Sequence, residues 1–67
     1  MRWAKDAPDH WSARAASYTL AVWRSWGCFH WELWGDGANN PMVSGDASDL
    51  ADAKAKAESA YAAARAR

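Results

Sequence analysis

Two segments of alternating residues, separated by Trp26-Gly27, constrain the fold of this chain more than any other feature. Residues 18–25 and 29–34 are rich in the aromatic and β-branched side chains that strands favour. Gly27 can adopt a positive φ, so Trp26-Gly27 predicts a two-residue turn between antiparallel strands. That turn sets a register of four cross-strand pairs: Val22 with Trp31, Leu20 with Leu33, Trp23 with His30, and Thr19 with Trp34. Each face of the hairpin is then internally consistent, which favours this register.

The C-terminal third of the chain predicts a long helix over residues 48–65. Ser48 or Asp46 can cap its start, and Asp49 and Asp52 suit the positive end of the helix dipole. An apolar stripe at helical spacing would face the sheet, and it consists of Leu50, Ala53, Ala57, Tyr61 and Ala64.

The remaining segments predict one more strand and a second helix. Residues 1–17 predict a short helix behind a loose leader, because Asp6-Ala7-Pro8 resembles a helix start. Ala13, Ala15 and Ala16 also favour helix. Residues 35–41 are turn-forming and predict a loop, and residues 42–45 predict a short third strand.

These elements predict an α+β fold in a single domain spanning residues 1–67. A three-stranded antiparallel sheet (18–45) carries a long C-terminal helix (46–67) on one face, and a short N-terminal helix (1–17) precedes it. Sixty-seven residues are too few for two cores. With only three Leu, two Val and no Ile, the core depends on aromatic side chains. The predicted core is Leu20, Val22, Trp31, Leu33, Val43, Leu50 and Tyr61.

Several classes of protein are disfavoured by composition. The single Cys28 excludes an internal disulfide, and one Cys with two His cannot build a structural zinc site. His10, His30 and Asp36 have no metal-ligand spacing, so neither metal nor cofactor is expected. Cys28 lies two residues from His30, but the sequence offers no third orienting group, so we expect no catalysis. No apolar run predicts a membrane span or a secretory signal, and a cytoplasmic protein is expected.

Charge is distributed unevenly although the formal net charge is zero. Between Arg24 and Lys54 there is no Lys or Arg, and this interval carries a local charge of −5. If the 35–41 loop and the helix start lie at one end of the sheet, the carboxylates of Asp36, Asp46, Asp49 and Asp52 converge. Ordinary helix capping and polar loops are the alternative explanation. An acidic patch would select a basic partner. Its residues are Glu32, Asp36, Asp46, Asp49 and Asp52.

The face that carries Trp23, His30 and Trp34 gives a second hypothesis. An aromatic sheet surface can stack bases, and Arg24 and Arg14 could reach phosphates. Glu32 lies in the middle of this face and would repel phosphate. The N-terminal helix could also cover the two tryptophans, so a nucleic-acid-binding sheet remains the alternative to the acidic patch. A structural protein that dimerises through this aromatic face is a third possibility.

A resemblance to known proteins rests on three segments: residues 31–37 (Trp-Glu-Leu-Trp-Gly-Asp-Gly), residues 43–45 (Val-Ser-Gly) and the Ala-rich helix. Over about residues 18–66 they resemble small phage and mobile-element proteins built from a hairpin, a third strand and a C-terminal helix. Size, Ala/Trp-rich composition and the acidic middle are similar to small anti-CRISPR proteins, above all inhibitors of type I-C systems.

The resemblance implies a non-enzymatic, monomeric inhibitor that acts in the host bacterial cytoplasm. Such a protein binds a type I CRISPR–Cas surveillance complex, for example at the basic DNA- and PAM-recognition surface of an effector subunit, or binds the nuclease that the complex recruits. Some present carboxylates in place of DNA phosphates. No cofactor, membrane or direct nucleic-acid contact is implied. The acidic residues named above come from charge placement and not from the resemblance.

Overall fold

The computed structural model describes residues 1–66 and shows a five-stranded antiparallel sheet followed by one helix. The strands stand in chain order, so each pairs with its sequence neighbours. Arg67, which ends the predicted helical region and domain, lies outside the described residues. The elements are β1 (Ala4–Ala7), β2 (His10–Ala15), β3 (Tyr18–Ser25), β4 (Cys28–Trp34), β5 (Val43–Ala47) and α1 (Leu50–Arg65).

The central hairpin of β3 and β4 is confirmed with its predicted register. All four expected pairs are present, from Thr19 opposite Trp34 to Trp23 opposite His30. Both turn residues have positive φ, 55° at Trp26 and 79° at Gly27. Such a turn matches the right-handed twist of the flanking strands.

The prediction of an N-terminal helix is wrong, and so is the prediction of three strands. Residues 1–17 contain β1 and β2, and Pro8 and Asp9 form the turn between them. The period-two pattern of β2 is carried by Trp11, Ala13 and Ala15, and two of these are small side chains that also suit a helix. Pairing with the edge of β3 decides the outcome, because a short isolated helix is marginal in water.

The later elements shift by a few residues from their predicted bounds. The third predicted strand is β5, which runs to Ala47 and not to residue 45. The helix begins at Leu50, and its cap is Asp49, which accepts a hydrogen bond from the Asp52 backbone N–H at 2.8 Å. Ser48 and Asp46 therefore do not cap it. Within the described part of the chain, no helix has the length and apolar character needed to cross a bilayer.

The core lies between α1 and the face of the sheet that carries Leu20, Val22, Trp31 and Leu33. These four predicted core residues are buried. Three other predicted core residues lie at its edge: Leu50 and Tyr61 are partly buried, and Val43 is 42% exposed. Four alanines complete the core, because their small side chains let helix and sheet approach closely. Ala53 and Ala57 belong to the predicted helix stripe, whereas Ala13 and Ala47 were not predicted.

The N-terminal segment is tied to the helix through Trp3. Its indole N–H donates to Glu58 Oε2 at 2.7 Å, and the Lys54 ammonium lies 5.7 Å from the ring centroid. Trp3 thus packs against the edge of the core instead of fraying.

Candidate functional site

One face of the sheet carries the core and α1, and the described residues leave the opposite face uncovered. We call this the open face. Strand alternation and the observed registers assign its members. From β1 to β5 they are Ala4, Asp6, Ala7, His10, Ser12, Arg14, Thr19, Ala21, Trp23, Ser25, Cys28, His30, Glu32, Trp34, Ser44 and Asp46.

A row of polar and aromatic side chains crosses the open face near the β3–β4 turn. His10, Trp23, His30 and Asp46 are direct neighbours across four strands. The rings of Trp23 and His30 stack with centroids 5.5 Å apart. Asp6 extends the row, since it lies at an irregularity in β1 and its Oδ2 is 3.3 Å from His10 Nδ1. The indole of Trp23 therefore has a histidine–aspartate pair on each side.

The pair formed by His30 and Asp46 also involves the only cysteine. His30 Nδ1 lies 2.5 Å from Asp46 Oδ1, and His30 Nε2 lies 3.6 Å from Cys28 Sγ. The thiol is half-buried and lies 3.6 Å from the Ser25 carbonyl oxygen. The third group that the sequence did not reveal next to Cys28 and His30 is thus Asp46 on β5.

The four aspartates that were expected to converge at one end of the sheet do not all lie there, because Asp36 is separate from Asp46, Asp49 and Asp52. Asp46 lies opposite His30, whereas Asp36 follows Trp34 at the other end of β4. His30 and Trp34 are about 13 Å apart along the strand. Asp36 instead borders a groove beside Arg14 and Trp34, so it forms the far rim of the open face.

The other predicted acidic residues divide between two surfaces. Glu32 lies on the open face with Asp46, where it accepts a hydrogen bond from Trp34 Nε1 at 3.0 Å. Asp49 and Asp52 lie at the start of α1, and Asp49 is used as the cap. Asp52 is 3.2 Å from Lys56 Nζ, so its charge is offset locally.

Of the three residues predicted to bind nucleic acid, Trp23, Trp34 and Arg24, only the two tryptophans lie on the open face. Trp23 and Trp34 are both half-buried on the open face, and no N-terminal helix covers them. Arg24 is opposite Phe29 and therefore projects from the other face of the sheet. Arg14 is the one Arg or Lys among the open-face members in residues 1–66.

The geometry does not favour a metal site. Cys28 and Asp46 meet opposite nitrogens of the His30 ring, so the three side chains cannot converge on one ion. No group of three or more His, Cys, Asp or Glu side chains within residues 1–66 is placed to hold a metal.

Sequence reasoning missed Asp6 and the pairing of His10 and His30 with carboxylates. Ser12 Oγ also donates to Asp6, at 2.5 Å. The signal for β2 was present in the alternation of Trp11, Ala13 and Ala15 with polar residues, and it would have placed His10 on the open face.

Comparison of the chain with known protein families, with curated proteins and with solved structures finds no match.

Proposed function

We propose that the chain is a non-enzymatic binding protein whose open face docks on a basic surface of a partner protein that normally grips DNA. One observation carries the proposal: the open face brings together three carboxylates, Asp6, Glu32 and Asp46, against the single guanidinium of Arg14. Following the sequence resemblance, the partner is an effector subunit of a type I CRISPR–Cas surveillance complex at its DNA- and PAM-recognition region. The protein would act as a monomer in the host bacterial cytoplasm.

Charge and aromatic surface both suit the open face to such a partner. Carboxylates facing Lys and Arg side chains steer the encounter and select the partner. A surface that binds phosphates offers such cations. Trp23 and Trp34 add half-exposed indole area, and aromatic residues are enriched among those that dominate interface energetics.

The open face alone is too small to form a stable protein–protein interface. Five strands about 4.8 Å apart and about six residues long give a flat area of roughly 400 Å². A stable interface covers about 800 Å² on each partner. The contact must therefore extend beyond the strands. The 35–38 rim supplies part of that area and adds the charge of Asp36.

The start of the helix is the weaker candidate surface. The Asp49 carboxylate is engaged by the helix N-terminus, and that of Asp52 by Lys56. Lys56 also donates to the Asp46 backbone carbonyl at 3.3 Å, which fixes a positive charge beside these aspartates.

A competition assay tests the proposal with matched charge-removing variants. Purified effector complex is mixed with labelled target duplex, and the protein is added in excess. We expect the wild type to displace the duplex. The pair E32Q/D46N should weaken displacement by about tenfold or more, since each lost charge contact is worth on the order of 1 kcal/mol.

The matched control is D49S/D52N, which also removes two carboxylates but keeps a capping side chain. It should displace DNA as well as the wild type. Undiminished DNA binding with excess wild-type protein rejects the proposed site. If only D49S/D52N loses activity, the docking surface is the helix start and not the open face.

The half-exposed Trp23 and Trp34 support a second candidate, a small sheet that binds single-stranded nucleic acid. Glu32 and Asp46 beside them, and Arg24 on the opposite face, weigh against it. Titration with an oligonucleotide at low salt separates the two, since base stacking would quench tryptophan fluorescence. Saturable quenching that is lost in the W23A/W34A variant would favour nucleic-acid binding over protein docking.

A further inference from the structure

We propose that Cys28 is a site of thiol–disulfide exchange, served by His30 as base and Asp46 as its positioning residue, that selects cationic over anionic small disulfides. The inference stands apart from the docking proposal, because it concerns the chemistry of one thiol and needs no protein partner.

The geometry is that of a nucleophile, a base and an orienting group. Cys28 and His30 are two residues apart on β4, so strand alternation places both on the open face. The register of β4 with β5 puts Asp46 directly opposite His30. Stacking on Trp23 fixes the plane of the imidazole between its two neighbours. Such a chain of side chains is what activates nucleophilic cysteines elsewhere.

The contacts assign a role to each ring nitrogen. A carboxylate accepts hydrogen bonds but does not donate them, so the 2.5 Å contact with Asp46 places the proton on His30 Nδ1. Nε2 of the neutral ring is then an acceptor 3.6 Å from the Cys28 thiol, which can donate either to it or to the Ser25 carbonyl oxygen at the same distance. Asp46 thereby holds the tautomer that can take the thiol proton, and it stabilises the imidazolium that results.

The exchange step is balanced without any oxidant. His30 Nε2 takes the proton from Cys28 Sγ, and the thiolate attacks one sulfur of a small disulfide. A new S–S bond forms to Cys28 as the S–S bond of the reagent breaks. The departing thiolate takes the proton back from His30, so one thiol and one disulfide are consumed and one thiol and one mixed disulfide are formed.

The selectivity follows from the groove beside the base. It is lined on the open face by Trp23, His30, Glu32, Ser44 and Asp46, with two carboxylates and neither Lys nor Arg. Cys28 lies beside this groove and does not line it. Asp46, across the His30 ring from the thiol, is the nearer charge, whereas Glu32 is about 13 Å along β4 from Cys28, beyond one Debye length at physiological salt. Asp46 therefore dominates the field that a reagent meets, and the Lys56 ammonium at its backbone carbonyl offsets part of that field. A reagent with ammonium ends is attracted, and one with carboxylate ends is repelled.

Three disulfides of similar size and different charge provide the probe. They are cystamine (cationic), bis(2-hydroxyethyl) disulfide (neutral) and 3,3′-dithiodipropionate (anionic), and adduct formation is followed by intact mass. Each rate is divided by the rate of the same chain unfolded in urea, which removes the reagent's own reactivity. We expect the ratios to fall from cation to anion by about tenfold and to converge in 1 M salt. Equal ratios would overturn the selectivity.

Variants test the base and its positioning residue. At pH 6 an ordinary thiol is almost fully protonated and reacts slowly. We expect native wild-type protein to react with the neutral disulfide about tenfold faster than H30Q, and D46N to move the pH–rate profile towards that of the unfolded chain. The matched control is H10Q, which breaks the equivalent His10–Asp6 pair across Trp23 and should leave the rate unchanged.

Two outcomes overturn the activation. One is an H30Q variant that is folded by circular dichroism and reacts at the wild-type rate. The other needs no variant: native wild-type protein that reacts no faster than its urea-unfolded form at pH 6.

Discussion

Gly45→Ala is the substitution whose effect the structure specifies most closely. Gly45 lies on β5 opposite Trp31. A Cβ at this position would stand 2.9 Å from both Cζ2 and Nε1 of the Trp31 indole. Carbon atoms pack best at about 3.5–4.0 Å, so the methyl group would overlap the ring by about 0.6 Å or more. The ring belongs to the core and is only 8% exposed, so it cannot swing out without loss of burial.

The expected destabilisation is about 1–2 kcal/mol. Overpacking a tight core costs about 1–3 kcal/mol. Removing a glycine from a position without positive φ returns about 0.4–1 kcal/mol through the unfolded chain. For a chain of 67 residues the unfolding entropy is roughly 0.14 kcal/mol/K, so Tm should fall by about 7–14 °C.

Thermal unfolding followed by circular dichroism checks this value against a matched control. In Gly35→Ala the new Cβ meets Met42 Sδ at 3.2 Å, and this flexible side chain can move aside. Gly35→Ala should therefore leave Tm within a few degrees of the wild type.

A double-mutant cycle identifies the cause of the Gly45→Ala effect. Trp31→Phe removes the ring atoms that clash, together with an indole N–H that has no partner within residues 1–66. In the Trp31→Phe background, Gly45→Ala should cost less than half of its wild-type value. An unchanged Tm for Gly45→Ala, or an equal cost in both backgrounds, would refute the steric reasoning.

Three further changes test local features. Trp26→Asn should raise stability by about 1 kcal/mol in chemical denaturation, because Trp26 is 98% exposed at a positive φ that asparagine adopts more readily. Asp49→Ala should lower stability by about 1 kcal/mol, whereas Asp49→Ser should keep most of it, which separates the cap from the charge. Trp3→Phe should lower Tm by several degrees through loss of the hydrogen bond to Glu58, while Glu58→Gln, which keeps an acceptor, should change it little.

The hairpin of β3 and β4 was predicted well because large side chains carry its pattern. In β3 and β4, Leu, Val and Trp alternate with polar residues around Gly27, and a slip by one residue would bury the wrong face. α1 was predicted well for a different reason: its stripe is mostly alanine, and the high helix propensity of alanine agrees there with the helical spacing of Leu50 and Tyr61. In each of these elements the sequence fits either the strand periodicity or the helix periodicity clearly better than the other.

The prediction for the N-terminal segment failed because its alanines fit two patterns. In β2, Ala13 and Ala15 fit a helix by propensity and a strand by alternation, and only pairing with β3 distinguishes the two. The prediction of the site was incomplete for a related reason. Strand alternation brought Cys28 and His30 together, but β5 reads Val-Ser-Gly-Asp-Ala and contains too few large apolar residues to fix its register. The sequence therefore did not predict that Asp46 lies opposite His30.

A chain with zero net charge can still present a charged face. In this fold the reason is that a helix covers only one of the two faces of the sheet. A single 16-residue helix covers only one side of a five-stranded sheet, so charges near the sheet lie either on the helix side or on the open side. Lys5, Arg24 and Lys54 lie on the helix side, where Lys5 and Lys54 rest over Trp11 and Trp3. The open side carries Asp6, Glu32 and Asp46 against Arg14. Asp49, Asp52 and Glu58 lie on the helix side with Lys56 and Arg65, so these groups sum to −2 on the open side and +2 on the helix side. The run of sequence free of Lys and Arg thus contributes to a dipole across the sheet, and such a dipole orients an approaching basic surface towards the open face even when the net charge is zero.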